Sequence, residues 1–208
     1  ADLVCHGRHP TLGALPTPLS SPASLRHHGL LLCVRALAVK YNNDFCTAMS
    51  KIFVTELAHV SATLHLAPPK GLARMLEKCG EYAHVDGQDV PVAKRAAYLL
   101  DTLRCTVECQ QAWQLTMSLE RVRAMSLQED GLQMVQLKNG FSMKGKDQNP
   151  SMYRDVKATV MFQVPSGPAK GLKLLGEIIF IMTEFKRLKD YMHLFYEIKR
   201  GDFGELVS

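Results

Sequence analysis

Residues 153–163 read YRDVKATVMFQ, with Val156, Ala158, Val160 and Phe162 on one side of an extended chain and Tyr153, Asp155, Lys157 and Thr159 on the other. Strict period-two alternation predicts a strand that buries one face and leaves a charged, aromatic-bearing face opposite. Further along, residues 174–182, LLGEIIFIM, form an apolar run interrupted by Glu177. That run also reads as a strand, in which an unpartnered carboxylate would be costly to bury. Upstream, residues 102–108 are apolar and β-branched and suit a third strand, entered by Asp101 with Arg104 close behind. A fourth strand is expected at 132–137.

Helical spacing governs most of the rest. Phe45, Met49, Phe53, Leu57 and Val60 recur every three or four residues and predict an amphipathic helix over 43–65, broken by Pro68 and Pro69. A second helix is expected over 69–83, its apolar stripe formed by Leu72, Met75 and Leu76. Lys70, Arg74 and Lys78 follow at four-residue steps and should share one of its faces. A short helix is expected at 91–100 and another at 109–126, with Trp113 expected in the core. The last helix, 183–200, carries Phe185, Leu188, Met192, Phe195 and Ile198 on one stripe, with Lys186, Arg187 and Lys189 outside it. Strands separated by helices point to an α+β domain, a mixed sheet flanked by helices.

The chain has 208 residues, 47% hydrophobic and 22% charged, enough for one domain with a core plus an extension. This composition excludes disorder and fibrous repeats. The longest apolar runs are too short to span a bilayer, so no transmembrane helix is expected. A net charge of +5 permits an anionic partner without demanding one. Six scattered cysteines without a CxxC pair read as reduced and mostly buried, and the histidines show no zinc spacing. No glycine-rich phosphate loop, GxSxG elbow or HExxH helix occurs.

Residues 3–43 contain no Asp or Glu but hold Arg8, Arg26, Arg35, Lys40 and four histidines. An acid-poor, basic, Ser-bearing N-terminal stretch has the composition of an organellar transit peptide. The expected organisation is a basic extension at 1–41, a helical lead-in at 42–67, the mixed-sheet domain at 68–200 and a tail at 201–208.

The order of these pieces resembles the synthetase domain of the RelA/SpoT family, which transfers pyrophosphate from ATP to GDP or GTP. The resemblance covers residues 68–200 and rests on PKGLARMLEK, LLDTLRCTV, KNGF, YRDVKATV, GEIIFIMTEF and HLFYEIKR in that order. It implies a nucleotidyltransferase-like fold. It further implies that Lys70, Arg74 and Lys78 face the ATP phosphates, with Arg104 and Lys157 in support. Tyr153 would stack on guanine. Asp101 and Glu177 would be the catalytic carboxylates, both holding Mg²⁺, with Glu177 alternatively activating the acceptor 3′-hydroxyl.

The sequence departs from that pattern at several polar positions. Met152 stands where a glycine is common, Ile179 replaces an amide, and Lys157 occupies the place of a histidine. A site that loses such groups loses its substrate hydrogen bonds. The expected function is therefore an eroded RelA/SpoT-like domain serving as a structural subunit of a large mitochondrial or other organellar assembly with other protein subunits, the alternative location being the cytoplasm. A second expectation is an active Mg²⁺-dependent pyrophosphotransferase binding purine nucleotides. A third is an RNA-contacting subunit of an organellar ribosome.

Overall fold

The computed structural model describes residues 22–85, 87–128, 131–142 and 153–200. The expected tail at 201–208, the first 21 residues and residues 143–152 lie outside the described residues. A five-stranded mixed sheet organises the chain. Its strands are β1 (Thr63–Ala67), β4 (Leu103–Cys109), β5 (Leu132–Asn139), β6 (Asp155–Gln163) and β7 (Lys173–Met182). Their order across the sheet is β1-β4-β7-β6-β5. Only β4 and β7 run parallel, and the other pairs are antiparallel. A two-stranded ribbon, β2 (His84–Val85) and β3 (Gln88–Asp89), stands apart.

One face of the sheet is the core. Leu103, Cys105, Val107 and Cys109 of β4 alternate with half-exposed neighbours, and Ile178 and Phe180 of β7 and Val156, Ala158, Val160 and Phe162 of β6 join them. The alternation read in YRDVKATVMFQ thus matches the buried face. Helix α1 (Pro22–Ser50) lays Phe45 and Met49 on this face, and a π-helical turn, Lys51–Glu56, adds Ile52 and Phe53. Phe45 meets Phe162 edge-on, and Phe53 meets Phe180 likewise. Helix α4 (Ala112–Gln128) covers the rest with Val122. Its start is fixed by the buried Gln114, which accepts from the amides of Gln110 and Gln111 and donates to the Val60 carbonyl.

The structure corrects several expectations. The helix expected at 43–65 begins at Pro22 and gives way, after a short 3₁₀ turn, to Ser61 in the left-handed region (φ 56°) and then to β1. Residues 22–41 are therefore part of the folded unit, and the expected division at 41/42 falls inside a continuous helix. Leu31, fully buried, joins Met75, Cys79, Ala96 and Leu99 in a second small core. That core seats α2 (Leu72–Glu81), which starts three residues after Pro69 with Gly71 as its N-cap, so Lys70 precedes the helix. Helix α3 (Val92–Arg95) and a 3₁₀ turn, Ala96–Tyr98, complete the same core. Trp113, expected inside, is 53% exposed. It sits in the first turn of α4.

Helix α5 (Thr183–Arg200) follows β7 directly. Phe185 on its expected stripe packs against Phe141, whereas Tyr191, Met192 and Phe195 are exposed. Lys189, expected outside, is turned inward instead, as its contacts below show.

Candidate functional site

The second face of the sheet gathers the charges. Because side chains alternate, Arg104, Thr106 and Glu108 of β4 share it with Glu177, Ile179 and Ile181 of β7 and Thr159, Lys157 and Asp155 of β6. The register aligns them in rows. Arg104 lies beside Glu177 and Glu177 beside Thr159, while Thr106, Ile179 and Lys157 form the next row.

Asp101 enters β4 at one end of this face. Its carboxylate is buried and accepts hydrogen bonds at Oδ2 from the ammonium groups of Lys70 and Lys78, the latter at 2.6 Å. Burial pushes the Asp101 carboxyl up, but the two lysines outweigh it and hold it below the ordinary carboxylate range. Burial also pulls Lys70 down, and Asp101 restores only part of that loss. For Lys78 burial again pulls down, yet Asp101 prevails and raises it. Asp101 Oδ1 is buried with no hydrogen bond among the described residues.

The three cations expected on one helical face are thus divided. Lys70 reaches the site from the turn before α2, where its amide donates to the Thr102 carbonyl at 3.3 Å. Lys78 reaches it from the helix. Arg74 is exposed and pairs with Glu77 at 2.5 Å, away from Asp101. Arg104 donates to the Pro68 carbonyl at 3.4 Å, and its Nε has no partner among the described residues.

At the other end, Asp155 is 8% exposed. Lys157 and Lys189 each hold Nζ 3.8 Å from its Oδ2. Lys189 also leans over the Tyr153 ring, 5.5 Å from the centroid. Burial pulls the Lys189 ammonium below its usual value despite Asp155. Lys189 was not singled out in the sequence, since a lysine on an amphipathic helix ordinarily faces solvent. Glu177 lies between the two ends and feels Lys78 from one side and Lys189 from the other. At the β1 edge His65 Nε2 pairs with Glu108 at 2.7 Å.

The structure therefore brings Lys70, Lys78, Asp101, Arg104, Glu177, Lys157 and Tyr153 to one face. A cleft lined by Asp44, Lys51, Met125, Leu132 and Gln163 shares none of these residues.

Asp101 has committed Oδ2 to two ammonium groups, which leaves Glu177 on this face as the carboxylate that would hold a magnesium ion together with the phosphates of a bound nucleotide. Among the described residues no group of three His, Cys, Asp or Glu side chains is gathered as a metal site, and no step below is routed through a metal.

Solved structures share this architecture. A GTP pyrophosphokinase family protein from Streptococcus pneumoniae superposes with a TM-score of 0.58 at 13% identity, over 82% of this chain and 78% of that one. The small alarmone synthetase 2 from Bacillus subtilis gives 0.57 at 13% identity, over 84% and 82%. The small alarmone synthetase 1 from Bacillus subtilis, bound to its product pppGpp, gives 0.55 at 14% identity, over 79% and 78%. At these identities the likeness establishes the fold: a mixed α+β, RelA/SpoT-like synthetase fold. No protein-family profile matches the sequence, and no curated protein matches it.

Proposed function

We propose that this chain binds a purine nucleoside polyphosphate across the charged face of its sheet and has lost the pyrophosphate transfer that the fold supports elsewhere. The observation that carries the reading is the convergence of Lys70 and Lys78 on Asp101. Each ammonium has three N–H donors; Lys70 spends one on Asp101, whereas Lys78 meets both Asp101 and the Tyr82 hydroxyl, so donors remain on each for phosphate oxygens. The carboxylate fixes both cations at one end of the face, a preorganised phosphate seat. Arg104, in the next position of the sheet, extends that seat. Tyr153 supplies a ring for the base at the far end, and a neighbour of the same fold holds pppGpp. The likeness to a pppGpp-bound structure favours a guanosine nucleotide.

The loss of transfer rests on the same geometry. Phosphoryl-type transfer depends on positioning and on charge stabilisation by metal ions that carboxylates hold and by cationic side chains. Here Asp101 is engaged by lysines, and Ile179 and Lys157 stand where the resemblance calls for an amide and a histidine. Of the two expected catalytic carboxylates, Glu177 is the one unengaged by a hydrogen bond among the described residues.

In this reading the protein is a nucleotide-responsive structural subunit of an organellar assembly. The acid-free basic stretch at 3–43 supports that placement. Because Leu31, Ala38 and Tyr41 belong to the cores, a removable address would have to end before α1. A fusion of residues 1–21 to a fluorescent protein tests this, and a diffuse cytosolic signal would refute the targeting.

The experiment for the site is calorimetric titration of the full chain with GDP, GTP and ATP, followed by a transfer assay from ATP to GDP. Micromolar binding, about −8 kcal/mol, with no transfer is the expected result. Absence of binding by all three overturns the nucleotide reading. Transfer that Glu177→Gln abolishes overturns the loss of activity.

A further inference from the structure

Helix α1 carries apolar residues on two opposite sides. Its inner side supplies Leu31, Ala38, Tyr41, Phe45 and Met49 to the cores. Its outer side, at the spacing that keeps residues on one helical face, presents Gly29, Leu32, Ala36 and Val39. All four are exposed, Leu32 at 53% and Val39 at 51%. The angular step of the helix sets Arg35 on one flank of this strip and Arg26 and Lys40 on the other, with Cys33 beside Lys40. These flanking side chains are exposed too. The chain holds no Asp or Glu over residues 3–43, and the first acid of the helix, Asp44, comes one turn after Lys40.

Three kinds of partner cover such faces, and the charges separate them. A second copy would set Arg26, Arg35 and Lys40 against themselves, with no acid on the strip to answer them. A nucleic acid would pair with the cations but gain nothing from Leu32 and Val39. A bilayer with anionic headgroups answers both, because the apolar side chains enter the acyl boundary while the flanking cations reach the headgroup phosphates. The helix does not cross it: among the described residues no helix is long and apolar enough, and the inner side of α1 lies in the core. We infer that the outer face of α1 from Arg26 to Lys40 is a docking surface for an anionic phospholipid membrane, along which the helix lies flat. The inference is independent of the nucleotide reading, since α1 packs on the core face of the sheet and leaves the charged face clear.

The test is flotation of the full chain with two kinds of vesicle, phosphatidylcholine alone and phosphatidylcholine mixed with phosphatidylglycerol. Only the mixed vesicles should carry the protein, and raising the salt from about 0.1 M to about 0.5 M should release most of it. Arg26→Gln and Arg35→Gln should each lower partitioning about fivefold, the effect of one cation near an anionic surface. Leu32→Ser combined with Val39→Ser should lower it about tenfold or more. All four side chains are exposed, so these variants should melt with the wild type, and they separate the contribution of α1 from that of Arg8. Bound vesicles should also shield Cys33 from iodoacetamide, as read by peptide mapping. Absence of flotation with the mixed vesicles overturns the inference, as does flotation that the Leu32 and Val39 substitutions leave unchanged. Equal binding to phosphatidylcholine alone overturns it as well. A dimer in sedimentation that the Leu32 and Val39 substitutions dissolve, without flotation, would replace the membrane by a second copy. Binding of single-stranded RNA that only the arginine substitutions weaken, again without flotation, would replace it by nucleic acid.

Discussion

Arg104 and Glu177 stand side by side on the parallel strands β4 and β7, at the centre of the charged sheet face. To one side of this pair Asp101 gathers Lys70 and Lys78; to the other, Asp155 lies between Lys157 and Lys189. Charge thus alternates along the face, with carboxylates spacing the cations apart. Such an arrangement keeps several ammonium groups close without mutual expulsion.

Asp101 is the counter-ion for two lysines that are themselves largely buried, with side-chain exposures of 10% and 28%. Removing it strands both charges. Asp101→Asn should cost about 3 kcal/mol in urea unfolding. Because the folded carboxyl lies below its unfolded value of about 3.9, the wild type holds this contribution above that pH. It loses it as the pH falls through the lower folded value. The variant should show a flatter acid limb, and equal acid limbs would contradict the ion triad.

Two glycines should answer oppositely to alanine. At Gly140 the new methyl meets the Asp155 carbonyl at 2.6 Å, so strand β6 must shift. A loss of about 2 kcal/mol is expected. Gly29 lies within α1, exposed and with open space around its Cβ position. Gly29→Ala should stabilise by about 0.5–1 kcal/mol. Thermal melts of the two variants against wild type measure both signs.

Helix α1 contributes Leu31 to the core under α2 and Ala38 and Tyr41 to the main core. Chains trimmed to 22–208 and 42–208 should therefore differ sharply. The longer should melt near the full chain, whereas the shorter should melt far lower and lose the protease resistance of α2. Equal melting temperatures would show that 22–41 is dispensable.

Thiol reactivity should follow burial. Burial pushes the Cys105 thiol well above its usual range, and burial, with Glu108 adding to it, lifts Cys109 to about 11. Cys33 is exposed. Peptide mapping after brief iodoacetamide treatment at pH 7.5 should find Cys33 modified and Cys105 and Cys109 untouched until the chain is unfolded.

Much of this could be read from residue order. The alternation in YRDVKATVMFQ, the lone acid in LLGEIIFIM and the LRCTVEC segment carry their burial patterns openly, since a half-buried strand has no other way to be written. Strand β1 was hidden because TLHLA is only five residues long and continues a helical spacing begun at Phe45. Nothing local signals that Ser61 adopts the left-handed turn that ends it. Arg74 keeps the spacing of Lys70 and Lys78, but Lys70 lies outside the helix, so spacing alone placed three cations where two converge. Lys189 was concealed for a tertiary reason. Its inward direction depends on where α5 crosses the sheet, and Asp155, thirty-four residues earlier, supplies the reason only once both are in place. Trp113 shows the reverse case, an aromatic whose size argues for burial but whose position in the first turn of α4 leaves it outside.

The most direct measurement is a calorimetric titration of GTP into the full chain and into Lys78→Met, side by side. Lys70 still pairs with Asp101 in the variant, so the seat keeps its anchor while losing one phosphate donor. The account predicts saturable micromolar binding by the wild type and a loss of at least about tenfold in the variant. Absence of binding by a folded wild type, or equal affinity in both proteins, would contradict it.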